Sequence, residues 1–92
     1  MPASSETLVA LPADVDLHAR PAATFVRAAM GFDAKIVVAA GDREADAKSL
    51  LSVLALGAKA GSELRLRAEG LDAVSAVDGL ASCLAGLVET PA

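Results

Sequence analysis

His18 is the only histidine in the chain, and Arg20 and Pro21 follow within three residues of it. All three stand in "DLHARPAATFVRAAM", Asp16–Met30, where a run with helical spacing begins. A helix N-terminus presents N–H groups that have no intrahelical acceptor, together with a partial positive charge. Anions settle there, phosphate especially. The groups on offer here are the N–H of Ala19 and Arg20, then that of Ala22 beyond the proline. The same field disfavours an imidazolium, so His18 is expected to be neutral, and a neutral imidazole is a nucleophile. Arg20 adds a planar cation suited to phosphoryl oxygens. The stretch therefore suits acceptance of a phosphoryl group on His18 itself. One ring nitrogen attacks, the helix start receives the oxygens and Arg20 neutralises part of their charge. Phosphoryl transfer asks mainly for positioning and charge stabilisation, so these few groups suffice in principle.

A lone histidine before a helix also serves as a cap or a surface residue, and the pattern alone leaves both readings open. A metal site has less support, because one histidine with scattered carboxylates shows no recognisable ligand spacing. A Ser-His-Asp hydrolase has less still, since no nucleophile elbow is present.

The elements that must position these residues follow from periodicity. Glu6–Leu11 reads as a strand and Pro12–Asp16 as an acidic turn, with Met1–Ser5 and Thr90–Ala92 as free ends. Ala22, Val26 and Ala29 share one face of a helix over Ala19–Met30, with Phe25 and Met30 beside it; Arg20, Thr24 and Arg27 share another. Pro21 fits only the first turn, so the helix begins near His18 or Ala19, and Gly31 ends it. Lys35–Ala39 is a β-branched strand and Arg43–Ala47 a short return strand. Ser49 caps a short helix reaching Leu56, with Gly57 as its stop. "ELRLRAE", Glu63–Glu69, alternates strictly, which predicts a sheet with one covered and one wet face. Leu71–Val88 is the longest helix, with Val74, Val77, Leu80, Leu84 and Leu87 as its core stripe. The order is β-α-β-β-α-β-α. With one face of the sheet wet, the helices must share the other, giving a two-layer, open-faced α+β sandwich.

Ninety-two residues suit one domain, spanning residues 1–92. The formal charge of −4 argues against nucleic acid and against anionic lipid as partners. Phe25 and Phe32 are the only aromatics, so the core is aliphatic and no base-stacking platform is expected. Cys83 is the only cysteine; it allows no intrachain disulfide and no cysteine-based metal cluster, and it fits a reducing cytosol. Leu50–Ala58, the richest apolar run, falls far short of the roughly 20 residues that a membrane span needs. A cytoplasmic monomer without metal, cofactor or membrane insertion is expected.

"LHARPAATFVRAA", Leu17–Ala29, closely resembles the active-site segment of the HPr family, the histidine-containing phosphocarriers of the bacterial phosphoenolpyruvate-dependent sugar phosphotransferase system. "AKSLLSVLALGAKAGSEL", Ala47–Leu64, is similar to the second signature of that family, and Gly31–Phe32 and Glu69–Gly70 fall at similar intervals. The resemblance covers nearly the whole chain. It implies a four-stranded antiparallel sheet with three helices on one face. It implies that His18 is phosphorylated at Nδ1, with Arg20 as its active-site partner and Ala19 and Arg20 holding the phosphate. It implies enzyme I as donor, enzyme IIA domains as acceptors, and a stoichiometric carrier rather than a turnover enzyme. It carries over Ser49 as a position that some members phosphorylate through a regulatory serine kinase; its capping role needs no such kinase. Two departures stand out. Asp16 replaces the glycine that usually precedes the Leu-His pair, with left-handed backbone expected there and its charge expected to oppose a bound phosphate; Asp14 adds a second acid to the same turn.

The short helix is apolar nearly all round, at Leu50, Leu51, Val53, Leu54 and Leu56. A two-layer domain buries only one side of such a helix. Some of these leucines are therefore expected to stay exposed. The resemblance places this helix beside His18, and implies a docking surface of Leu50, Leu51 and Leu54, with Ala23 from the first helix, rimmed by the cations Arg20, Arg27 and Lys48. The alternative reading is a paralogue or regulatory binding module, in a nitrogen-related or kinase-linked relay, that docks through the Ser49 helix.

Overall fold

The computed structural model describes residues 3–87. Its elements are β1 (Ser4–Ala10), α1 (Ala19–Met30), β2 (Lys35–Ala40), β3 (Arg43–Asp46), α2 (Leu50–Ala55), β4 (Glu63–Glu69) and α3 (Ala73–Ala85). The strands form one sheet in the order β1-β4-β2-β3, and each neighbouring pair is antiparallel. The helices cover one face, as the alternation of β4 requires. Leu64, Leu66 and Ala68 are fully buried, while Glu63, Arg65, Arg67 and Glu69 are exposed.

Both faces agree on the register. On the covered side Val38 stands opposite Leu66 and Ala45. On the wet side Arg67 stands opposite Glu6, and Lys35 opposite Glu69, so opposite charges are paired across strands. A one-residue slip of β4 would turn both arginines into the core. Phe25, Ile36, Leu64, Leu66, Leu80 and Leu84 are the largest fully buried side chains. α3 packs against β1, β4 and α1, and α2 packs against α1 and β3.

Several element boundaries differ from expectation. Ser4 and Ser5 belong to β1, paired with Glu69 and Ala68; the polar start of the strand hid pairing made by backbone alone. Leu11 lies past that strand, buried, its N–H donating to the Ser62 carbonyl at 2.9 Å. Met30 is 65 % exposed although Ala29 beside it is fully buried, so it lies on the uncovered side of the last turn of α1. Gly31 closes α1 with φ −76°, in right-handed backbone, so its lack of a side chain is not what stops the helix. α3 is shorter than expected at its start, and Leu71 is exposed before it; Val88, like Met1, Pro2 and Thr90–Ala92, lies outside the described residues. Val74 is 59 % exposed and does not belong to the core stripe, which runs through Ala73, Ala76, Val77, Leu80 and Leu84. At 100° per residue, two small alanines occupy the angle that an apolar reading gives to the larger valine.

Asp72 precedes α3 without capping it. Its carboxylate instead accepts the N–H groups of Asp33 (2.8 Å) and Ala34 (2.9 Å), tying the start of α3 to the turn before β2.

Candidate functional site

His18 occupies the N-cap of α1 in extended backbone, with φ −136° and ψ 154°. Its N–H donates to the Asp16 carbonyl at 2.9 Å, and its own carbonyl accepts the Ala22 N–H at 3.3 Å. The imidazole does not cap the helix, is exposed, and makes no hydrogen bond among the described residues. It stands free at the protein surface, with the positive end of α1 beneath it.

The N–H groups of Ala19 and Arg20 find no acceptor among the described residues. The Ala22 N–H, expected to join them, is taken by the His18 carbonyl, because the first helical hydrogen bond already closes there. Two donors rather than three therefore remain at this helix start. Arg20 is exposed beside them. With Pro21 and Thr24 it forms the α1 wall of an open groove of about 430 Å³, whose other wall is the end of α3 at Ser82, Cys83, Gly86 and Leu87.

Between His18 and Arg20 lies the strained point of the backbone. Ala19 has φ +34°, the only positive φ outside glycine among the described residues. An L-residue in this region costs of order 1–2 kcal/mol and persists only where its surroundings hold it. Leu17 is buried, with its N–H on the Ala58 carbonyl at 3.0 Å, and Pro21 is fixed in the first turn, so the chain is held on both sides of Ala19. The left-handed backbone expected at Asp16 is therefore found three residues later, where the chain must pass from extended His18 into helix.

The Asp16 carboxylate does not turn towards an anion site. Its Oδ1 accepts the Ala60 N–H at 2.7 Å. The charge expected to oppose phosphate is engaged by the loop before β4.

α2 brings the other expected residues alongside α1. Ser49 is the N-cap, and its Oγ accepts the Ser52 N–H at 3.3 Å. Leu51 is 81 % exposed and Leu50 40 %, Leu54 is half-buried, and Val53 and Leu56 are buried. α2 packs on α1, in which Ala23 is half-buried and Arg27 exposed. Lys48 departs from the expected basic rim. Its ammonium donates to the Phe32 carbonyl at 2.6 Å, partly buried, and so fastens the approach to α2 to the end of α1. Arg43, not among the expected site residues, donates to the Ala55 carbonyl at 3.2 Å and holds the other end of α2. A cation at the start of a short strand carries no signal of that contact.

Cys83 is half-buried, and burial pushes its thiol above the ordinary value. It is a poor nucleophile in this setting. Among the described residues no three His, Cys, Asp or Glu side chains gather into a group that could hold a metal ion, and no helix is long and apolar enough to cross a membrane.

Residues 5–86 match the family described as the PTS HPr component phosphorylation site. The phosphocarrier protein HPr of Vibrio cholerae is 40 % identical over 79 residues, covering 86 % of this chain and 93 % of that protein. A multiphosphoryl transfer protein of Xanthomonas campestris is 51 % identical over 57 residues, covering 62 % of this chain but only 7 % of its own much longer length. Among solved structures, a phosphocarrier protein HPr from Bacillus anthracis superposes with a TM-score of 0.85 at 33 % identity, over 89 % of this chain and 98 % of that one. With the fold, the family match and full-length relatives in agreement, this chain belongs to the HPr family of phosphotransferase-system phosphocarriers.

Proposed function

We propose that the chain carries phosphoryl groups on His18, from phospho-enzyme I to sugar-specific enzyme IIA domains. The observation that carries this reading is the exposed, unbonded imidazole of His18 over two free N–H groups at the start of α1. The ring attacks phosphorus through Nδ1. An N–P bond forms on His18 as the bond between phosphorus and the donor group breaks, and the donor leaves with that electron pair. The N–H groups of Ala19 and Arg20 and the Arg20 guanidinium face the oxygens and stabilise their charge. Handing the group to an acceptor reverses these steps and returns His18 unchanged, so the chain acts as a carrier and not as a turnover enzyme.

Leu50, Leu51 and Leu54, with Ala23, form the apolar centre of the surface that both partners share, and Arg20 and Arg27 are its cations. Lys48 contributes there through the placement of α2. A kinase that phosphorylates Ser49 would place a dianion at the start of α2, within this docking surface, and slow transfer. The acting unit is the monomer, in the cytoplasm.

The test is incubation with phosphoenolpyruvate and enzyme I, followed by intact mass. Gain of one phosphoryl group, lost again when a IIA domain is added, is the expected result. A chain whose mass does not change with active enzyme I refutes the function.

A further inference from the structure

Three backbone hydrogen bonds join the segment before His18 to the loop before β4: Leu11 N–H to the Ser62 carbonyl, Gly61 N–H to the Pro12 carbonyl and Leu17 N–H to the Ala58 carbonyl. The fourth link comes from a side chain, the Asp16 carboxylate on the Ala60 N–H at 2.7 Å. Asp16 also holds His18 directly, since its carbonyl accepts the His18 N–H at 2.9 Å. One residue thus grips the neighbouring loop with its side chain and the His18 backbone with its main chain. The loop is shaped for this grip: Gly57 and Gly61, at φ +63° and +77°, turn the chain on either side of Ala60. Just beyond the grip comes Ala19 at φ +34°, a conformation that relaxes unless its flanks are held.

We propose that Asp16 is a positioning residue for phosphoryl transfer at His18, a reading that rests on the phosphocarrier function above. Its carboxylate fixes the turn that presents the imidazole over the Ala19 and Arg20 N–H groups. The hydrogen bond to Ala60 also draws its charge into the loop, which is how an acid is accommodated two residues before a phosphoryl acceptor.

Asp16→Ala removes the acceptor, whereas Asp16→Asn keeps an oxygen for the Ala60 N–H and removes only the charge. Transfer from phospho-enzyme I is measured in single turnovers across donor concentration. Asp16→Ala is expected to lower the maximal rate by about tenfold at unchanged half-saturation, because reacting groups lose alignment rather than affinity. Asp16→Asn is expected to stay within about twofold of wild type, as the same geometry is kept. Exchange of the Ala60 amide hydrogen is expected to accelerate in Asp16→Ala and not in Asp16→Asn. Asp16→Val, which also lacks the acceptor, takes the place of Asp16→Ala should that variant not fold. A maximal rate equal to wild type in the acceptor-less variant overturns the proposal. So does an equal slowing in Asp16→Asn, which would make charge the cause, or a change confined to half-saturation, which would make it docking. In those cases wild type still accepts phosphate and the phosphocarrier reading stands. A wild type that accepts none overturns that reading and the proposal with it.

Discussion

The Lys48 ammonium donates to the Phe32 carbonyl at 2.6 Å, joining the residue before the Ser49 cap to the turn that ends α1. The surface carrying His18 and the surface carrying Leu51 therefore belong to helices fastened to each other. Lys48→Met keeps the apolar stem and removes the donor. It should cost about 1 kcal/mol, a modest value for a charged hydrogen bond that is only partly buried. In a domain of this size that lowers Tm by about 4–8 °C. A melting curve identical to wild type would mean that water serves the Phe32 carbonyl equally well and that Lys48 is free for partners.

Leu51→Glu separates docking from packing. With 81 % of its surface exposed, Leu51 contributes little to the core. Stability should stay within about 0.5 kcal/mol of wild type. Binding to enzyme I and to a IIA domain should both weaken by about 2 kcal/mol, as for a residue at the centre of an interface. Unaltered titrations against both partners would move the docking surface elsewhere.

Arg20→Ala should leave His18 able to accept phosphate at a rate lower by about 10²-fold, the usual consequence of losing one charge-stabilising donor. Arg20→Lys should recover part of that loss, since a point charge lacks the planar fork. Rapid-quench rates in both directions check this, and an Arg20→Ala variant as fast as wild type would remove Arg20 from the site.

The elements that position the site were legible because they announce themselves by period. "ELRLRAE" alternates at every residue, and β4 buries every second side chain. Pro21 limits α1 to a start near His18, and the helix begins at Ala19. What escaped is either out of phase with its helix or without periodic signature. Val74 is large and apolar but faces solvent, because two alanines suffice where α3 meets the sheet. The strain at Ala19 and the Asp16–Ala60 bond depend on the meeting of two loops more than forty residues apart in sequence, and neither loop contains the geometry by itself. Lys48 signals only its charge in the sequence, whereas its ammonium is spent on a carbonyl.

Cys83 offers a check on packing at the groove beside Arg20. Burial raises its thiol pKa, so less thiolate is present at any mildly alkaline pH than in an exposed cysteine. Alkylation by iodoacetamide should be slower in the folded protein than in denaturant at the same pH, and should gain speed at a higher pH. Equal rates folded and unfolded would show that this side of α3 is open.

Locating the phosphate decides whether His18 is the phosphoryl acceptor. After incubation with phosphoenolpyruvate and enzyme I, fragmentation mass spectrometry at alkaline pH should place one phosphoryl group on His18. The linkage should be labile in acid and stable in alkali, as a phosphoramidate is, and His18→Ala should fold as wild type does and take up none. Phosphate on another residue, or full phosphorylation of His18→Ala, would mean that His18 is not the acceptor.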